Sequence, residues 1–313
     1  MAEQGSATKQ PLAREQVRAL VRAATGEERD AVELSDGEFT VCYATEDVVL
    51  KVWPEPGTPL LAHEEGLVHA EIEVCRRAPE AAFPAPRLVH VDLSHELVGR
   101  DWIAMTRLPG TPVPLAGEEV AVDRALGEAF ARLHRIAGEA FGYPGRPHLQ
   151  GATWHEAFGR MLAAVLDDAE RFAVALPFAR DDAEAALAAA GPALAGVSEP
   201  ALVHFDAWPG NVLVSGGRLA GVIDGERAFY GDPLAEWAML CFGREPHDRP
   251  ELVAGYGGLD LDETARTRLD LYRLYLDTIV LVEEAPRRYD PVSRAPTRAA
   301  AAGRAVAALE RLR

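Results

Sequence analysis

Leu202-Val203-His204-Phe205-Asp206, then Asn211, then Gly221-Val222-Ile223-Asp224 and Gly231-Asp232-Pro233, is the stretch on which the reading of this fold turns. Short strands are expected over 211–214 and 219–223, joined by the hairpin turn Ser215-Gly216-Gly217. Asp224 ends the second strand, where it can meet Asn211 across a metal. Pro209-Gly210 supplies a turn that can bring Asp206 and Asn211 to one side. Side-chain oxygens of Asp and Asn suit a hard cation such as Mg²⁺. Asp232 precedes Pro233 as the N-cap of a following helix. A surface hairpin with acids beside its turns is the plain alternative.

Working outward to the N-terminal side, a helix over 12–24 ending at Gly26 is followed by β-like runs over 32–34, 38–44 and 48–53. Lys51 lies inside the apolar run Val48-Val49-Leu50-Lys51-Val52-Trp53, where a buried ammonium is costly unless paired. A snorkelling edge-strand lysine is the other reading. The pattern is helical over 60–78, and Pro79, Pro84 and Pro86 forbid its continuation. Strands over 87–91 and 102–107 lead to a break at Leu108-Pro109-Gly110. Beyond it, helical spacing dominates: 118–137, 153–173, 181–190, 234–242, 262–284 and 294–312.

The composition sharpens this pattern. Of 32 basic residues only Lys9 and Lys51 are lysine, and Asn211 is the single asparagine. Residues so scarce, at these positions, draw attention. The net charge of −17 argues against a nucleic-acid or anionic-membrane partner and permits a cationic one. No apolar run has a membrane helix's length, and the polar start shows no secretory signal, so a cytoplasmic protein is expected. Cys42, Cys75 and Cys241 have no metal-ligand spacing and read as buried small hydrophobes.

The decisive stretch resembles the aminoglycoside phosphotransferase and choline kinase superfamily. The loop there runs His-Gly-Asp-x-x-x-x-Asn, and the metal strand runs Ile-Asp followed by Gly-Asp-Pro. His204, Asp206 and Asn211 match the first pattern; Ile223, Asp224 and Gly231-Asp232-Pro233 match the second. Two departures stand out: Phe205 replaces the glycine, and Gly225-Glu226-Arg227 follows Asp224 in place of a Phe- or Trp-led run.

The resemblance implies an α+β, bilobal protein-kinase-like fold, with a small antiparallel-β lobe over 1–107 and a larger, mainly helical lobe over 108–313. It implies Asp206 as catalytic base, Asn211 and Asp224 as Mg²⁺ ligands, and ATP (or GTP) as phosphoryl donor. Lys51 then neutralises nucleotide phosphates and pairs with a glutamate of the next helix; Glu71 is the first candidate, with Glu64, Glu65 and Glu73 as alternatives. Ser35-Asp36-Gly37 sits where a phosphate-covering hairpin belongs, and Met105-Thr106-Arg107 resembles the hinge that holds an adenine edge. Glu226, Glu236, Asp277, Glu283 and Glu284 are candidates for binding the acceptor. Trp154, Trp208 and Trp237 read as core residues. The expected activity is phosphorylation of a hydroxyl on an aminoglycoside or similar antibiotic, by a monomer or homodimer. A metabolic kinase for a sugar or amino alcohol shares every motif, and a nucleotide-binding pseudokinase is the alternative of another class.

Overall fold

The computed structural model describes residues 6–34, 37–113 and 119–313. Five antiparallel strands, β1 (Val32–Leu34), β2 (Val41–Ala44), β3 (Val48–Val52), β4 (Leu88–Asp92) and β5 (Trp102–Thr106), form one sheet in the order β1-β2-β3-β5-β4. Successive side chains of a strand point to opposite faces. Leu50, Val52, Trp102 and Ala104 therefore pack with Val17, Leu20 and Val21 of helix α1 (Arg14–Thr25). Trp53, Ile103 and Met105 pack on the other face with Leu67, Val68, Ile72 and Cys75 of α2 (Leu67–Arg77). A strand covered on both faces reads as one continuous apolar run, as 48–53 does. Lys51 belongs to the α2 face, and this alternation is what aims it at the helix.

The remaining elements build the larger half: β6 (Thr111–Pro112), α3 (Glu119–Leu133), β7 (Phe141–Gly142), β8 (Gln150–Gly151), α4 (Trp154–Arg171), α5 (Arg180–Ala189), α6 (Gly191–Ala195) and β9 (Ala201–Val203). They are followed by β10 (Val212–Ser215), β11 (Arg218–Val222), β12 (Phe229–Gly231), α7 (Glu236–Leu240), α8 (Pro250–Tyr256), α9 (Glu263–Val282), α10 (Glu284–Arg287) and α11 (Ala295–Leu312). A mainly helical body thus follows a small antiparallel sheet, the α+β kinase-like architecture. Its core gathers Phe130, Trp154, Phe158, Phe229, Trp237, Tyr272 and Tyr275, with α3 against α8 and α9 against α11. Among the described residues, no helix is long and apolar enough to cross a membrane.

Two small sheets hold the decisive stretch. β9 pairs with β12, Val203 opposite Phe229, while β10 pairs with β11 through a two-residue turn. Both turn residues, Gly216 and Gly217, have positive φ (58° and 72°), the backbone a tight hairpin of this hand needs. The loops 204–211 and 223–228 thereby leave neighbouring strands together, and the Ile223 N–H donates to the Asn211 carbonyl at 2.9 Å.

Some expectations shift. The strand expected over 38–44 begins only at Val41, because the chain bends at 38–40. The helix expected over 234–242 is a 3₁₀ turn, Pro233–Ala235, followed by α7. β9, β12 and α8 have no counterpart among the expected elements; strands of three residues are too short for periodicity to declare them.

Candidate active site

Lys51 is 3 % exposed and is surrounded by carboxylates. Its Nζ lies 2.7 Å from Glu71 Oε2 of α2 and 2.9 Å from Glu226 Oε2, and it pairs with Asp224 Oδ1. The alternatives to Glu71 are engaged elsewhere: Glu64 with Arg287, Glu65 with Arg146, Glu73 with Tyr230. Burial disfavours the Lys51 charge, but Asp224, Glu226 and Glu71 outweigh it, so the ammonium keeps its proton well above the usual lysine range. Burial also works to raise Asp224, yet Lys51 overrides it and holds that carboxyl below its ordinary value. For Glu226 burial wins over Lys51, with Asp224 and Glu71 adding repulsion, and its carboxyl is pushed up to about 8.

Asp206 follows β9 on a loop braced from beneath. The N–H groups of His204 and Phe205 donate to Glu236 Oε2 and Oε1 at 2.7 and 3.0 Å, and His134 Nε2 lies 3.5 Å from the same Oε2. Burial lowers the His204 pKa, and its Nδ1 accepts the Asp206 N–H at 3.3 Å. Asn211 Nδ2 donates to the Asp206 carbonyl at 2.8 Å and to Oδ2 at 3.0 Å. That leaves Asn211 Oδ1 for a cation.

The far side of Asp206 meets a chain of buried ions. Arg227 Nε lies 3.8 Å from Asp206 Oδ1, and Arg227 Nη2 lies 2.7 Å from Glu283 Oε2. Glu283 in turn meets Arg287 at 3.1 Å, and Arg287 meets Glu64 at 2.5 Å. The Arg287 guanidinium also stands 5.1 Å from the Phe39 ring. Burial, opposed by Arg227, pushes the Asp206 carboxyl up to about 7. A base is most useful with a pKa near the working pH.

The same loop and strand lie within a family match. The model of the phosphotransferase enzyme family matches residues 21–272. The chain belongs to that family.

Solved structures agree on the fold. Similar chains include a thermostable mutant of aminoglycoside phosphotransferase APH(4)-Ia in ternary complex with AMP-PNP and hygromycin B. Its TM-score is 0.67 at 21 % identity, covering 95 % of this chain and 98 % of that one. APH(2″)-IIa in its streptomycin–ATP complex gives a TM-score of 0.58 at 15 % identity over 87 % and 92 % of the two chains. The GDP complex of aminoglycoside 2′-phosphotransferase-IIIa gives 0.57 at 15 % over 96 % and 97 %. No curated protein matches the sequence.

The two departures from the phosphotransferase pattern have structural accounts. Phe205 has φ 60°, the left-handed region that suits the pattern's glycine. Its ring is buried 5.0 Å from that of Phe229 and 5.9 Å from that of Tyr275, so packing holds a conformation the backbone resists. Gly225 lies against α2: a Cβ there would stand 2.8 Å from Val74 Cβ. This close approach brings α2, with Glu71, onto the turn that carries Asp224 and Glu226.

Other candidate residues are placed as follows. Met105 is buried in β5. The Arg107 N–H already donates to the Asp47 carbonyl at 2.8 Å, so it is not available to an adenine edge. Gly37 precedes the bend at 38–40, where Glu38 pairs with Arg294; Ser35 lies outside the described residues. Glu236 is fully buried with both oxygens taken by the loop backbone, and Glu226 faces Lys51; neither stands on an acceptor surface. Asp277 and Glu284 are both paired with arginines of α11, Asp277 with Arg304 at 2.6 Å and Glu284 with Arg298 at 2.7 Å. Trp154 and Trp237 are core residues, but Trp208 is 41 % exposed. Arg227, Glu283 and Arg287 carry no motif, and only the fold brings them to Asp206.

Proposed function

We propose that this phosphotransferase is a small-molecule kinase that moves the γ-phosphoryl group of ATP (or GTP) onto a hydroxyl. Residues 1–107 would hold the nucleotide, through Lys51, Glu71, Gly37, Met105 and the hinge, and 108–313 the acceptor. The observation that carries the reading is the convergence of Asp206, Asn211 and Asp224 from one half with Lys51 from the other. Relatives crystallised with AMP-PNP, ATP or GDP support a nucleoside triphosphate donor.

The donor set fits Mg²⁺. Asn211 and Asp224 offer hard oxygens, and oxygens of Glu71, Asp224 and Glu226 lie within 4.8 Å of one another. Glu226 Oε2 makes no aligned hydrogen bond, and even with Glu226 protonated the carboxylates of Glu71 and Asp224 outnumber the single ammonium. Mg²⁺ held there would neutralise charge on the phosphates. This chain's own groups do the rest. Lys51 offers its charge to the phosphates, and Glu71 keeps it aimed. Asp206 orients the acceptor hydroxyl and takes its proton as the new O–P bond forms and the bond to the nucleoside diphosphate breaks. Arg227 steadies the Asp206 carboxylate, and Glu236 holds its loop.

The test is acceptor-dependent ADP release across aminoglycosides, other antibiotics, sugars and amino alcohols. Asp206→Ala is expected to lower turnover by about 10²-fold or more with the fold intact. Full activity in that variant rejects Asp206 as the base. A site with base and metal ligands all present favours an enzyme over a pseudokinase.

A further inference from the structure

The bend at 38–40 belongs to the small sheet, yet it is tied to the far end of the chain. Glu38 pairs with Arg294, whose guanidinium stands 4.0 Å from the Tyr289 ring. The buried Phe39 ring lies 5.1 Å from the Arg287 guanidinium. A third segment joins the two. Thr8, 1 % exposed, donates its hydroxyl to the Glu38 carbonyl at 3.1 Å, and the Ala7 N–H donates to the Arg287 carbonyl at 2.9 Å. Farther along the same segment, the Leu12 N–H donates to the Tyr43 hydroxyl at 2.6 Å, which anchors it on β2 as well.

The C-terminal partners are set by local structure. Arg288, at φ 53°, ends α10 in the left-handed region and turns the chain. A non-glycine residue keeps such a backbone only where its surroundings over-determine it. The Ser293 N–H then donates to Asp290 Oδ2 at 2.8 Å and the Arg294 N–H to the Asp290 carbonyl at 3.1 Å, a turn that delivers Arg294 to the start of α11.

Sheet register places these contacts at the nucleotide side. Cys42 stands opposite Lys51, so the bend lies at the Lys51 end of β2 and β3. Phe39 packs with Trp53, Leu67 and Ile72 on the α2 face, where Lys51 meets Glu71. The outer contact is weak by construction: the Glu38 side chain is 53 % exposed, and an ion pair so open to water contributes little. It can break and re-form while the buried Arg287, held by Glu64 and Glu283, stays in place.

We propose that residues 6–8, the bend at 38–40 and residues 287–294 form a clasp that closes the nucleotide cleft and opens for the nucleotide to enter and leave. Thr8 and Arg294 are positioning residues in this scheme. The inference rests on the kinase reading above. Every bond of the clasp joins protein to protein, so weakening it speeds entry and exit alike and leaves affinity nearly as it was. A group that held the nucleotide directly would change release and leave association alone.

Stopped-flow mixing of the full-length protein with N-methylanthraniloyl-ADP and Mg²⁺ reads both rates and needs no acceptor. Arg294→Ala removes the outer ion pair, and Thr8→Val removes the hydroxyl donor at nearly constant shape. Each is expected to raise the association and release rates together, by about threefold, with Kd nearly unchanged and melting temperature near the parent's. Arg294→Lys keeps the charge and is expected to keep the parent's rates. Unchanged rates in either Arg294→Ala or Thr8→Val, faster release with association unmoved, or an Arg294→Lys variant as fast as Arg294→Ala overturns the clasp. Failure of the parent to bind the MgADP probe at all rejects the kinase reading itself, a separate outcome of the same measurement.

Discussion

Replacing Phe205 by glycine and by alanine tests whether its backbone is under strain. Either change removes a ring buried against Phe229 and Tyr275, a loss of about 3–5 kcal/mol for a phenylalanine of this kind. The two variants then differ only in backbone. At φ 60° alanine keeps a left-handed penalty of about 1–2 kcal/mol, which glycine escapes. Glycine in turn loses about 0.5–1 kcal/mol more conformational freedom on folding. The balance leaves Phe205→Gly the more stable variant by roughly 0.5–1 kcal/mol, the reverse of the order at an ordinary position. Urea unfolding at matched slope reads the difference as a shift in midpoint. An alanine variant as stable as the glycine variant, or more so, would refute the strain and with it the account of why the related loop carries glycine.

Three further outcomes concern the ion network and the turn beside it. Arg227→Gln removes the cation nearest Asp206, so the base should titrate higher, and the acidic limb of the pH–rate profile should move up by about one unit; an unmoved limb refutes the contact. Glu226→Gln should flatten the pH dependence of stability. The Glu226 carboxyl sits at about 8 when folded against 4.5 unfolded, so the native state binds the extra proton, and stability falls as pH rises through that window. Urea midpoints at pH 5 and pH 9 that differ as much in the variant as in the parent would contradict this. Gly225→Ala forces a Cβ into Val74, at a cost of about 1–3 kcal/mol. It should also weaken MgADP binding by moving Glu71 away from Lys51, and an unchanged calorimetric Kd counts against that coupling.

Much of the small sheet is legible because strand alternation and the burial of both faces leave plain marks. Val48 to Trp53 reads as a buried strand, and one lysine within it invites a search for an acid. The helix pattern cannot narrow the choice of acid: Glu64, Glu65, Glu71 and Glu73 share one segment, and only the turn of α2 against Gly225 brings Glu71 to Lys51. Glu226 and Glu236 read as acceptor-binding acids because charge in sequence carries no depth. Burial reveals one facing the lysine and the other under the base. Trp208 runs the opposite way, an aromatic that reads as core and that the loop turns outward. The Arg227–Glu283 contact spans 56 residues, and no local pattern announces a pair that exists only after α9 has packed.

The family match ends at residue 272, yet Glu283 and Arg287, which stand behind Arg227, come later in the chain. The stretch that the family model matches supplies Asp206, the proposed proton acceptor, while the residues after it supply the charges that stand behind Arg227. Two proteins alike through the matched stretch can therefore differ in basicity at the reacting oxygen according to the residues of their C-terminal helices. Point changes at Glu283 or Arg287, not truncation, isolate that effect, because Tyr275, Ile279 and Val282 of the same region belong to the core.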